Sequence, residues 1–334
     1  MTERYEWADT LRVLLSFLVV LLHCSIYGIL TPPLETTWWF SNVYDGIGHL
    51  AVPAFLMLSG FFYNKDRKVK WKKIVRTLVL YLTWSVFYSI INSIMQWGNI
   101  TLSEAGRDLL NSFIHPYNHL WYLPAIIIVW VSARIINVEA KGTFVAAIIS
   151  LVATSVYAYA GLDKILPWWT SFIYDYLWWM SFFVIGYRLK KDIFGAKCRP
   201  AIYVAFAAAV AVTVFGTAFM MKAGYTNPYI FYEYGTVSIA IMAVSLLEIF
   251  RNKVLTNSVI KSLTTHHKDT LGIYLIHVAI RDVLVKLFVK LGVDMHYIIN
   301  PIGILALAVI VWLISCWIVI LCQKIPIIKK TVKL

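Results

Sequence analysis

Ten apolar stretches follow one another along this chain and leave room for little else: 9–30, 43–63, 72–97, 118–137, 143–161, 170–188, 200–221, 229–249, 270–291 and 298–322. About 20 apolar residues in helical form cross the ~30 Å hydrocarbon core of a bilayer. Backbone polar groups inside that core must be satisfied within the segment, so each stretch is expected as an α-helix. The chain has 334 residues, 60% of them hydrophobic and only 14% charged, with a mean hydropathy of +0.72. The expected fold class is therefore all-α: a polytopic integral membrane protein with about ten transmembrane helices. The second stretch is the weakest, because Asp45, His49 and Pro53 interrupt it. In the ninth, Arg281 and Asp282 either partly neutralise each other or face a polar cavity.

The connections alternate in charge. The segment 65–73 carries six Lys or Arg. Arg188, Lys190, Lys191, Lys197 and Arg199 follow the sixth stretch; Arg251, Lys253, Lys261 and Lys268 follow the eighth. The tail holds Lys324, Lys329, Lys330 and Lys333, whereas the intervening connections carry only Arg107, Lys164, Lys222 and Lys290. Positive charge stays on the cytoplasmic side, so both termini are expected there. The net charge of +13 is thus read as topology and attraction to anionic lipids, with no nucleic-acid partner. The Trp pairs at 38–39, 168–169 and 178–179 fit interfacial belts, with stacking on sugar rings as the alternative.

A single membrane domain over residues 1–334 is expected, with no soluble appended domain. The longest non-membrane stretch lies around 98–117, on the outer side, and holds an Asn99-Ile100-Thr101 sequon. No small-residue cleavage site follows the first stretch, which is read as a retained helix. Cys24, Cys198, Cys316 and Cys322 form no CxxC pair, which argues against a disulfide framework or a metal site.

Arg12 and His23 both sit on the first stretch, and both are costly inside a bilayer. Eleven steps of ~100° bring His23 to within roughly 20° of the azimuth of Arg12, about 16 Å further along the axis. Arg12 alone is equally well explained by snorkelling to the interface. The pair on one face points to function: a cation at the cytoplasmic mouth suits a phosphate-bearing ligand, and a deeper histidine suits proton transfer.

Further candidates are scattered along the chain. Ser59 and Gly60 end the Pro53-AFLMLSGF run, where a small-residue packing point is the competing explanation. His119, Trp121 and Tyr122, with His115 nearby, form an outer cluster that either lines a sugar site or belongs to an aromatic belt. Tyr274 and His277 lie one turn apart, with a buried Tyr–His hydrogen bond as the alternative to a role in the site. Arg76, just beyond Lys72 and Lys73, either anchors at the inner surface or points inward beside Arg12.

In this order the residues resemble the acyltransferase-3 family of bacterial membrane proteins. The features that carry the resemblance are Trp7-ADTLR-Val13 with His23 as an Arg-x10-His signature, the Pro53-AFLMLSGF run, Arg76, His119-LWY, Phe183-VIGY-Arg188 and Gly272-IYLI-His277. They span nearly the whole chain, and the closest likeness is to short members such as the O-acetyltransferase of enterobacterial common antigen. The resemblance implies transfer of an acyl group, often acetyl from acetyl-CoA, to a hydroxyl of a surface glycan or lipid-linked sugar at the bacterial inner membrane. His23 takes the place of the family's essential histidine, Arg12 that of its essential arginine, and Arg76 that of its basic residue on the third helix. Relatives often carry arginine where this chain has His49.

On that reading acyl-CoA binds from the cytoplasm near Arg12, Arg76, Lys72, Lys73 and Ser59. The acceptor meets His119, Trp121, Tyr122, His49, Asp45, Tyr274 and His277, and His23 is the general base. Ser59 and Tyr274 are candidate oxyanion donors, and no metal is required. The partners are acyl-CoA, the glycan or lipid-linked acceptor and membrane lipids, with a homo-oligomer left open. Ten helices with buried charge equally suit a transporter or flippase, and a non-catalytic membrane sensor is a third class.

Overall fold

The computed structural model describes residues 6–66, 68–95, 101–162, 165–167, 169–191, 194–251, 270–326 and 331–332. Asn99 and Ile100 of the sequon, Arg67, Lys164, Trp168, Lys253, Lys261, Lys268, Lys329, Lys330 and Lys333 lie outside the described residues. Helices alone build the described chain: α1 Glu6–Ile29, α2 Thr36–Gly48, α3 Ala51–Phe61, α4 Trp71–Met95, α5 Leu102–Ser112, α6 Tyr122–Ile135, α7 Lys141–Tyr159, α8 Trp169–Arg188, α9 Arg199–Lys222, α10 Val237–Arg251, α11 Thr270–Lys290 and α12 Pro301–Lys324.

Local chemistry sets several helix ends. Glu6 and Asp9 occupy the first turn of α1, where the positive end of the helix dipole favours them. Asn300 caps α12 by accepting from the amides of Ile302 and Gly303, and Pro301 follows at the position where a missing N–H costs nothing. The expected outer stretch 98–117 is not featureless: Thr101 and Glu104 form a capping box that starts α5.

The second expected stretch, 43–63, is a broken pair rather than one helix. α2 begins at Thr36, α3 ends at Phe61, and the chain turns at His49 and Leu50. Pro53 has no N–H to return to the carbonyl of His49, and its ring excludes that carbonyl, so the helix cannot run through.

Among the described residues, six helices are long and apolar enough to cross a membrane: α1, α4, α7, α9, α10 with its preceding turn, and α12. The other expected spans fall on helices that are broken (α2–α3), short (α6), rich in Trp and Tyr (α8) or interrupted by Arg281, Asp282 and Lys286 (α11). α7 exposes Val145, Ile149 and Val156, and α9 exposes Val204, Phe215 and Phe219, a surface suited to lipid.

α1 is the central post, packed by α2, α3, α10, α11 and α12. α3 crosses α8 at bare backbone. A Cβ built on Gly60 would lie 1.9 Å from the carbonyl oxygen of Phe183, and one on Gly186 would lie 2.0 Å from that of Met57. The small-residue packing reading of Gly60 therefore holds.

One face of the bundle collects the cation-rich connections. Trp7 packs edge-on to Phe61 with ring centroids 5.2 Å apart. Lys65 pairs with Glu139 at 2.8 Å, Lys68 donates to the Arg134 carbonyl at 2.9 Å, and Arg134 donates to that of Val69 at 2.5 Å. Lys190 donates to the Tyr63 carbonyl, and Arg251 to that of Leu189. The start of α1 and the ends of α3, α6, α8 and α10 thus share this face.

Candidate active site

From the cation-rich face a cavity of about 460 Å3 extends between α1, α3, α4, α6 and α11. Arg12, Lys68, Lys70 and Lys73 line it, and none of its described lining residues is acidic. Arg12 is half-buried, bonded to Asp9 at 2.9 Å and stacked 4.8 Å from the centre of the Phe62 ring. Lys73 Nζ lies 4.3 Å over the Trp130 ring, whose N–H donates to Ser59 Oγ at 2.9 Å. Ser59 lines the same cavity. Lys72 projects about 100° away from Lys73 on the helix. It is exposed, as is Arg76, and neither lines the cavity.

Along α1 the cavity touches Arg12 and then Val19, about 10 Å deeper. One turn past Val19 stands His23. The far wall is Tyr122 and Tyr274, with ring centroids 5.8 Å apart. Behind Tyr274 lies His119, ring to ring at 5.2 Å, and the Tyr274 hydroxyl donates to the His119 carbonyl. That bond commits the tyrosine proton and weakens the expectation that Tyr274 is an oxyanion donor.

Three histidines from three distant parts of the chain meet here. The His23 and His277 rings are 5.0 Å apart, His119 and His277 4.9 Å, and His23 and His119 5.9 Å. His277 Nδ1 faces the carbonyls of Tyr274 at 2.7 Å and Ile273 at 3.2 Å, and His119 Nε2 faces that of Leu275 at 3.3 Å. A carbonyl only accepts, so these nitrogens carry the protons and the opposite nitrogens carry lone pairs. Both opposite nitrogens, His277 Nε2 and His119 Nδ1, are buried and make no hydrogen bond. The buried Tyr–His hydrogen bond considered for Tyr274 and His277 is thus made through the tyrosine's carbonyl rather than its hydroxyl. Among the described residues, no three His, Cys, Asp or Glu are placed to hold a metal ion.

Arg281, one turn beyond His277 on α11, donates to the His23 carbonyl at 2.8 Å and pairs with Asp282 at 2.7 Å. The first reading of Arg281 and Asp282 is met, since they neutralise each other, and the arginine reaches the α1 backbone as well. Tyr88 on α4 closes the cluster, its ring 5.2 Å from His119 and its hydroxyl donating to the Leu275 carbonyl at 2.8 Å.

A second polar group stands beside the first. Asp45 accepts from Ser25 at 3.0 Å, and His49 Nδ1 lies 2.8 Å from the Asp45 carbonyl. The His49 ring stacks on Tyr232 at 5.0 Å and meets Tyr234 at 5.1 Å. Tyr234 stacks on Trp178 at 5.3 Å, and Trp121 packs on Tyr234, Trp178 and Trp179 at 5.5 to 6.4 Å. Trp178 and Trp179 are buried, as is Trp38. The belt reading of the 178–179 pair is therefore wrong: their rings fill an interior aromatic stack. The three outer candidates also part company. His119 turns to the histidines, Trp121 to this stack and Tyr122 to the cavity, while His115 stays exposed.

Sequence reasoning did not single out Tyr88, Trp130, Lys68 or Lys70 individually, nor Tyr234. A hydroxyl or indole within an apolar helix is the faint signal that marks Tyr88 and Trp130.

A model of the acyltransferase domain family matches residues 5–321, nearly the whole chain. No curated protein and no solved structure matches.

Proposed function

Since the chain belongs to the acyltransferase-3 family of membrane proteins, we propose that it is an O-acyltransferase that moves an acyl group, acetyl foremost, from acyl-CoA to a hydroxyl of a cell-surface glycan or its lipid-linked precursor. The observation that carries the reading is the cation-lined cavity that follows α1 from Arg12 to within one turn of His23, whose ring meets those of His119 and His277. The positive-inside rule puts the cation-rich face in the cytoplasm, and with it the side from which the donor comes.

The donor's phosphates pair with Arg12, Lys68, Lys70 and Lys73, charge-assisted contacts stronger than neutral hydrogen bonds. Its pantetheine arm runs along α1, with Ser59 Oγ offering a hydroxyl to an amide. The thioester arrives at the Tyr122–Tyr274 wall, and the acceptor hydroxyl comes from the opposite side. His23 removes the hydroxyl proton as the oxygen attacks the thioester carbon. The C–S bond breaks, and the proton passes from His23 to the departing thiolate. Positioned proton transfer of this kind is worth roughly 10²–10⁴-fold in rate.

The test uses the purified protein in nanodiscs with acetyl-CoA and a crude surface-glycan fraction. Free CoA thiol should appear together with acetyl ester on the glycan. A wild type that releases no thiol and esterifies nothing, although it binds acetyl-CoA, contradicts the reading for that acceptor; one that also fails to bind contradicts it outright.

A further inference from the structure

A histidine that serves as a general base needs a second group to fix its tautomer and aim its ring. The ring nearest His23 in the cluster is that of His277, at 5.0 Å. We propose that His277 is the positioning residue for His23: His277 Nε2 accepts an N–H from the His23 imidazole. This leaves the other His23 nitrogen bare toward the acceptor hydroxyl. The proposal rests on the acyl-transfer reading above.

Three observations carry it. First, two carbonyls hold the proton of His277 on Nδ1, which makes Nε2 a lone-pair acceptor. Second, that acceptor is fully buried and has no partner. Buried polar atoms are almost always satisfied, and an orphan in a native structure calls for a role. The two rings are not bonded as they stand, their planes tilted by 44°, but centroids 5.0 Å apart leave a His23 N–H within reach of Nε2 once the His23 ring turns toward it. Third, α11 already holds the backbone of the same residue, through Arg281 on the His23 carbonyl at 2.8 Å. His277 and Arg281 are one turn apart on α11, so one helix governs both the main chain and the ring of His23.

His119 is the weaker candidate for this part. Its ring is further from His23, at 5.9 Å, and its tautomer rests on a single contact at 3.3 Å. His277 gains no proton over the cycle and keeps its own on Nδ1. The hydroxyl proton still travels by His23 to the thiolate, and the His277 lone pair steadies the imidazolium while it lasts.

The experiment compares wild type, His277→Gln and His277→Leu as full-length protein in nanodiscs, with acetyl-CoA and the crude glycan fraction. Loss of the carboxylate orienter in a serine-protease triad costs about 10⁴-fold in rate. A neutral imidazole is a weaker orienter, and His277→Leu should lower kcat about 10²-fold on that scale. The KM for acetyl-CoA should not move, because His277 does not line the cavity. Gln presents an amide oxygen where Nε2 stood, and His277→Gln should recover kcat to within about tenfold of wild type. A Leu variant with full kcat overturns the proposal, as does a folded Gln variant no better than Leu. Should the Leu variant not fold, ¹⁵N NMR of histidine-labelled wild type decides: coupling between a His23 N–H and His277 Nε2 is expected, and its absence overturns the pairing. The NMR readout needs no turnover, so a wild type that transfers no acyl group counts against acyl transfer and leaves the pairing to be judged separately.

Discussion

Gly186→Ala should loosen the bundle at one identifiable place. The added Cβ would lie 2.0 Å from the Met57 carbonyl oxygen, where ordinary contact begins at 3.4 Å. α3 and α8 must therefore part by about 1.4 Å along that line. Neither side can yield by rotating a side chain, because the obstacle is backbone. Overpacking a close-packed interior costs about 1–3 kcal/mol, and a backbone clash belongs at the top of that range. About 3 kcal/mol is a shift of more than a hundredfold in the folding equilibrium. Unfolding of the purified protein in mixed micelles, followed by tryptophan fluorescence, reads the effect. Gly106→Ala is the control: it lies within α5 with nothing within 4 Å of the new methyl, and should stabilise by up to about 1 kcal/mol. α3 also carries Phe55, Leu58 and Ser59 into the cavity, so Gly186→Ala should weaken donor binding as well. A Gly186→Ala protein as stable as wild type would refute the account of the α3–α8 crossing.

Three further outcomes follow from the same geometry. Lys73→Ala should raise the KM for acetyl-CoA severalfold while Lys72→Ala leaves it unchanged, since only Lys73 lines the cavity; equal effects in steady-state kinetics would contradict the placement. Asn300→Ala removes the cap from α12 and should cost about 1 kcal/mol in the same unfolding assay. Glu139 is held below the usual carboxylate range by its bonds to Lys65 and Tyr187. A depressed carboxylate contributes above its ordinary pKa and loses that contribution as pH falls through the lowered value. The Lys65–Glu139 contact should thus survive mild acid and open only below the ordinary carboxylate range; hydrogen exchange around Lys65 that rises already near neutral pH would count against it.

Much of the fold was legible because apolar runs of bilayer length leave helices as the only solution. The interruption at Pro53 was visible too, though not its result, since sequence does not say whether a weak span bends or breaks. The Arg12–His23 relation was readable from α1 alone, being a matter of 3.6 residues per turn. The histidine cluster was not. His23, His119 and His277 lie on three elements whose relative rotation is set by packing, and each in isolation passes for a core histidine. The same limit explains Trp178 and Trp179: a Trp pair in an apolar run looks alike whether it meets headgroups or an interior stack. Lys73 and Lys72 show the residue-level version, adjacent in sequence yet on different sides of one helix. His119, Trp121 and Tyr122 diverge because a 3₁₀ turn, Asn118–Trp121, passes into α6 at that point and changes the residues' directions.

The central claim is a division of labour along α1: the Arg12 end holds the donor, and the His23 end does the chemistry. Acetyl-CoA affinity and turnover measured side by side on wild type, Arg12→Ala and His23→Ala separate the two. Arg12→Ala should lose affinity by about tenfold, the worth of one charge-assisted contact of roughly 1.4 kcal/mol. His23→Ala should bind acetyl-CoA as wild type does and turn it over about 10²–10⁴-fold more slowly. A His23→Ala protein that keeps full turnover would contradict the account.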